Sequence, residues 1–213
     1  MNAGALHVRR EGRVESRARR GVLAVTLICA LASVLPATVR AGAPRGSSPL
    51  RQTDAHVLAA FEKRVADYCA LRKKIEDRLP VLPARGTAQG IDKALQDLRR
   101  GIVAARAGAQ VGDVFAPETR KYLRRVLARA FSGPERARLR DSILIDNPIA
   151  LQVRVNGPYP DSMPLSTMPP EILEALPKLP EPLEFRFVGR RLILYDRDAR
   201  LVVDWVDRAL PKV

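Results

Sequence analysis

The hydrophobic period of this chain changes once, at Asn147-Pro148, and that change restricts the fold to helices followed by strands. Upstream, Leu58, Phe61, Val65, Tyr68, Arg72, Ile75 and Leu79 recur by threes and fours, with Arg72 the only interruption of an apolar stripe. The spacing predicts a helix of about 26 residues from Asp54, near 39 Å long, stopped by Pro80 and Pro83. A second stripe, Ile91, Leu95, Leu98, Ile102 and Ala105, follows from Thr87 or Ala88, so the two make an antiparallel helical hairpin. Pro117-Glu118 opens a third helix with Tyr122, Leu123, Val126, Leu127 and Ala130 on its apolar side. Ser132 with Glu135 three residues on reads as a capping box starting a fourth, through about Leu144.

Downstream the pattern is different. Nine of the 17 prolines fall between residues 148 and 182. A short strand is expected at Leu151 to Val155, a turn at Asn156 to Pro160, and a small helix from Pro170 to Leu176. Glu184 to Val188, Arg191 to Tyr195 and Leu201 to Val206 are rich in Phe, Leu, Ile and Val, and Gly189-Arg190 and Asp196 to Ala199 supply turns. They predict a three-stranded antiparallel meander built around Phe185, Phe187 and Trp205. The expected class is α+β: an antiparallel layer of about four helices, then a small meander. A linker covers residues 44–53, a basic helical region 54–146, and a proline-rich connector with the meander 147–213, the last two forming one globular unit.

Ahead of the linker lies an address. Six arginines among the first 20 residues precede Gly21 to Val39, which carries no charged side chain, and small residues follow. Residues 1–43 therefore read as a cleaved signal peptide with a mature start near residues 42 to 44, or alternatively as a signal anchor in the inner membrane. Arg19-Arg20-Gly21-Val22-Leu23 fits a twin-arginine signal, with the general secretory route as the alternative. Ile28 before Cys29 speaks against a lipoprotein. Either way residues 44–213 are periplasmic or secreted, and membrane contact is confined to the N-terminal segment if it stays uncleaved.

A further likeness concerns the C-terminal half. Asn156-Gly157-Pro158-Tyr159-Pro160, Met168-Pro169-Pro170, Leu176-Pro177-Lys178-Leu179-Pro180 and the tract from Phe185 to Val206 resemble a family of exported bacterial proteins with no known activity. The resemblance spans roughly Leu58 to Pro211. It implies an extracytoplasmic α+β protein and nothing about activity.

Charge divides along the same lines. The net charge of +14 invites a nucleic-acid partner, but residues 1–43 hold seven arginines against Glu11 and Glu15, leaving 30 basic and 21 acidic residues on the exported part. Asp54 to Arg140 has 19 basic and 10 acidic residues, whereas Asp141 to Val213 has 9 and 11, so the surplus sits on the helices. Its densest cluster is Arg120, Lys121, Arg124, Arg125 and Arg129, followed by Arg136, Arg138 and Arg140, opposite the apolar side of the third helix. The cluster reads either as a solvated face or as a site for anionic lipid, acidic glycan or an acidic protein. Nucleic acid ranks below these, because the aromatics do not interleave with the cluster as a stacking platform would require, and export removes the usual substrate.

Catalytic patterns are sparse. Cys69 and His56 sit thirteen residues apart on one helix, about 20 Å along its axis and about 140° around it, so they form no dyad. Cys69 reads as a structural thiol and His56 as exposed. Asp196, Asp198 and Asp204 read as turn chemistry before a metal site, since no EF-hand loop is completed. There is no nucleophile elbow, phosphate loop, zinc-protease or dinucleotide motif, so no catalytic residue, metal or cofactor is assigned. Leu179-Pro180-Glu181-Pro182 reads as a rigid connector rather than a ligand for a partner domain. The expected function is a non-enzymatic binding or structural module of the envelope; the alternatives are a carboxylate-dependent hydrolase of envelope material and a membrane-anchored interaction protein.

Overall fold

A computed structural model describes residues 49–80 and 87–211; the signal-segment readings, and Pro83, lie outside them. The chain is α+β, with five helices, α1 (Pro49–Glu76), α2 (Ala88–Ala105), α3 (Pro117–Ala130), α4 (Arg136–Ile145) and α5 (Pro170–Ala175), then strands β1 (Leu183–Val188), β2 (Arg191–Asp196) and β3 (Leu201–Val206).

α1 starts five residues before Asp54, inside the expected linker, because Pro49 supplies a preset first helical turn and needs no amide donor there. Its buried stripe is Phe61, Val65, Tyr68 and Arg72. α2 is capped by Thr87, whose hydroxyl accepts from the Gly90 amide at 3.1 Å. The two helices run antiparallel: Leu79 and Leu95 line one recess, and the Arg106 guanidinium sits 5.2 Å from the Tyr68 ring centroid. Ile91 is exposed rather than part of the buried stripe, which is carried by Leu98 and Ile102.

The expected capping box is absent. The Ser132 hydroxyl donates to the Arg129 carbonyl at 2.7 Å, closing α3 behind it, while Glu135 accepts from Arg138 at 2.6 Å instead of reaching back to an amide. α4 therefore begins at Arg136 without a side-chain cap.

The strands form an antiparallel sheet in the order β1-β2-β3. Phe185 pairs with Leu194 and Phe187 with Leu192, so alternate residues face the helices in one buried cluster with Phe61, Phe115, Leu123, Leu127 and Ile143. Phe61, Phe115 and Phe185 stack in succession at 5.6 and 6.3 Å, tying α1, the loop before α3 and β1 together.

Trp205 is not in that cluster. A bulge in the β2–β3 register leaves Val203 unpaired, with Leu194 opposite Asp204 and Tyr195 opposite Val202. The extra residue puts Val203 and Asp204 on the helix side in succession, so Trp205 turns to the opposite face. There it packs with Tyr159, Val188, Ile193, Tyr195 and Val202, and the Arg191 guanidinium lies 4.9 Å from its ring centroid.

The strand expected at Leu151 to Val155 does not form. Leu151 and Val153 pack against the outer face of the sheet, but Asn156, at φ 58°, turns the chain, and backbone bonding to β3 begins there. The Asn156 amide donates to the Val202 carbonyl at 2.9 Å and the Tyr159 amide to that of Arg200 at 2.8 Å, along the free edge of β3. On the other edge the Phe187 amide donates to the Ser166 hydroxyl at 2.8 Å. The proline-rich connector thus covers both edges of the meander, which otherwise present unpaired backbone groups. Asn147 fixes its start: its side-chain amide donates to the Gly189 carbonyl at 2.9 Å and its oxygen accepts from the Gly189 amide at 2.6 Å. Helices, connector and sheet fall within one compact unit, Gly46–Val213.

Candidate functional site

α3 carries five basic residues and a single acid, Glu118, in fourteen positions. Its buried side is Thr119, Leu123 and Leu127, which sets the helix rotation and turns the cations outward. The five cations are not equivalent. Arg125 is engaged by Asp54 of α1 and lies 5.5 Å from the Tyr122 ring centroid, so it holds α1 against α3. Arg120 is half-buried, with its guanidinium against Gly112, and its Nε is buried without a hydrogen-bond partner. Lys121, Arg124 and Arg129 are exposed, on an arc of about 140° at 100° per residue. The exposed part of the expected cluster is thus three residues, and two of the five serve the fold. Beyond α3, Arg136 is exposed and Arg138 is paired with Glu135 and, at 3.0 Å, with Glu171 of α5.

The aspartates near the strands do not converge. Asp196 is fully buried and accepts from the Tyr68 hydroxyl at 2.8 Å, Arg72 Nε at 3.1 Å and the Ala199 amide at 2.9 Å. Arg72 also reaches Asp198 and Glu76, each at 2.8 Å. The residue that breaks the apolar stripe of α1 is therefore the cation that neutralises the β2–β3 turn. Burial works to lower its pKa, but Asp196, Glu76 and Asp198 together lift it above the ordinary arginine value. Burial, and then Asp196, push the Tyr68 phenol up.

Asp204 faces different partners. It accepts the backbone amides of Gly112 at 3.1 Å, Val114 at 2.9 Å and Phe115 at 2.8 Å. It pins the loop between α2 and α3 beneath the sheet, and Gly112, at φ 105°, supplies the left-handed turn that aims those amides at one carboxylate. Asp196 anchors its own turn, as its sequence setting suggests, whereas Asp204 lies within β3 and holds a loop about 90 residues upstream, which its sequence setting does not. Among the described residues no group of three or more His, Cys, Asp or Glu is placed to hold a metal ion.

Cys69 is half-buried beside Tyr68, and its thiol is pushed up by burial, with Arg72 opposing. His56 is exposed. The recess between α1 and α2 is lined by Glu76 and Asp77, but Arg72 holds the first and Lys73 the second at 2.7 Å, so neither carboxylate is free. Among the described residues no helix is long and apolar enough to cross a membrane.

Comparison with protein-family models, with curated proteins and with solved structures finds no match to this chain. The likeness to exported bacterial proteins rests on the sequence tracts alone.

Proposed function

We propose that the chain is an exported envelope protein acting as a non-enzymatic binding or structural module, whose α3 face attracts an acidic component of the envelope. The observation that carries this reading is the charge imbalance of α3. Lys63, Lys73 and Lys93 on α1 and α2 are each paired with an aspartate four residues on, Asp67, Asp77 and Asp97, whereas Lys121, Arg124 and Arg129 make no ion pair among the described residues, although Glu118 lies one turn before Lys121. Exposed like charges kept together raise the local potential and draw anions from a distance of about 8 Å, the screening length at physiological salt.

The test is sedimentation of the purified protein with vesicles containing anionic lipid, with acidic glycan and acidic protein as parallel arms. Binding is expected to weaken steeply with added salt and to be lost in K121E/R124E/R129E, with thermal stability changed by no more than about 0.5 kcal/mol, since all three side chains are exposed. Arg125 is left in place because it pairs with Asp54. Unchanged binding by the triple variant to whichever acidic probe binds refutes the proposal, as does the absence of binding to every probe.

A further inference from the structure

A second basic feature lies away from α3, and it is concave. The second half of α4, the β1–β2 turn and the C-terminal segment line an open groove of about 540 Å³, within the range that holds small organic ligands. Three arginines line it, Arg140, Arg190 and Arg191, against one acid, Asp207. Leu144, Ile149, Leu210 and Pro211 supply its apolar wall.

Two of the arginines are held in place by the fold. The Arg190 carbonyl accepts the amides of Ala209 at 2.8 Å and Leu210 at 3.2 Å, and its Nε donates to the Leu210 carbonyl at 2.9 Å, which leaves the terminal nitrogens of the guanidinium free. Arg191 lies over Trp205, with its Nε 3.6 Å from Asp207, beyond hydrogen-bond reach and without another partner. The Arg140 side chain makes no hydrogen bond or ion pair among the described residues. Beside these cations the hydrophobic exposure is unusual: Ile149 is 70% and neighbouring Ile145 79% exposed. Cations with spare donors next to an uncovered apolar wall complement a molecule that is anionic at one end and apolar at the other.

We propose that this groove binds a small amphiphilic anion, its carboxylate or phosphate head held by Arg140 and Arg190 and its apolar tail laid over Leu144, Ile149 and Leu210. The site is separate from the α3 face and does not depend on it. Trp205, the only tryptophan of the sequence, sits under Arg191 and reports occupancy.

The experiment is calorimetric titration with dodecanoate and with dodecyl phosphate below their micelle concentrations, followed in parallel by Trp205 fluorescence. Dodecanol and inorganic phosphate are the matched probes lacking head charge or tail. Saturable binding of either dodecyl anion with a Trp205 response is expected, at least about 10-fold weaker in R140Q/R190Q, since each lost charge-assisted hydrogen bond is worth about that factor or more. R140Q alone, which removes no internal bond, is expected to weaken binding in the same direction and keeps the test decisive if the double variant does not fold. K121E/R124E/R129E is expected to bind both anions like the wild type, whatever happens to its vesicle binding. Tighter binding of one dodecyl anion identifies the head group as a carboxylate or a phosphate. The proposal is overturned if neither dodecyl anion binds, if dodecanol or inorganic phosphate binds as tightly, if R140Q leaves affinity unchanged, if Trp205 does not respond, or if the α3 variant loses the site.

Discussion

Arg72 shows how one charged side chain can be required by a core. It is 9% exposed and reaches a fully buried Asp196, so removing it strands a carboxylate away from water. R72L is expected to destabilise the fold by about 3–5 kcal/mol in urea denaturation. R72L/D196N, which removes both charges but keeps an acceptor for the Tyr68 hydroxyl and the Ala199 amide, should recover part of that loss, because it leaves no unpaired charge buried. A double variant no more stable than R72L would show that the pair is not the source of the effect. In the sequence, Arg72 is visible only as an interruption. Its partner lies 124 residues away, so helical periodicity can register the anomaly but not its resolution.

Among the elements, the contact between α1 and α2 has the least slack. A Cβ at Gly101 would lie 2.5 Å from Ile75 Cγ2, closer than real side chains approach. Helix propensity alone says that alanine at this interior position should stabilise α2 by about 1 kcal/mol. The opposite is expected: G101A lowers the melting temperature, with a cost of about 1–3 kcal/mol from overpacking. In an I75A background, where Cγ2 is gone, the same substitution should become neutral or favourable by about 0.5–1 kcal/mol. A wild-type background in which G101A raises the melting temperature would contradict the close approach. Elements with a clean period, α1, α2, α3 and the three strands, are readable from spacing, because burial on one face fixes the residues every third, fourth or second position. Ser132-Glu135 and Leu151 to Val155 mislead for a shared reason: a local pattern competes with a partner supplied from elsewhere. Arg129 and Arg138 take the capping groups, and the left-handed turn at Asn156 ends any strand before it reaches β3.

Across the whole molecule the sheet is buried on both faces, and tyrosines serve each side. Tyr68 lies with the helices, and Tyr159 and Tyr195 lie with the connector, their rings 5.3 Å apart. Burial is the first cause that raises all three phenols, Tyr159 to about 12. A phenol that is harder to ionise in the folded state lends stability that is fully present below the unfolded value of about 10 and is lost as pH rises through about 12. Stability measured by urea midpoint is therefore expected to fall between about pH 10 and pH 12, together with the appearance of phenolate absorbance. A midpoint unchanged across that window would place these phenols in solvent. The same two-sided burial accounts for the connector: with prolines spaced through it, the segment forms no strand of its own and covers both sheet edges through Ser166 and Asn156 to Tyr159.

The sequence by itself determined the α+β class, the order of helices and strands, and the outward basic side of α3, because each follows from periodic burial of neighbours along the chain. Tertiary structure decided what periodicity cannot carry. It assigned Arg125 to Asp54 and left Lys121, Arg124 and Arg129 exposed, since a cation's freedom depends on which acids other elements bring to it. It turned Trp205 away from Phe185 through one unpaired residue in β3, a register event invisible to alternation. And it gathered Arg140, Arg190 and Arg191 from α4, the β1–β2 turn and the start of β2 around one apolar recess, a juxtaposition made by the docking of α4 beside that turn rather than by any spacing in the chain.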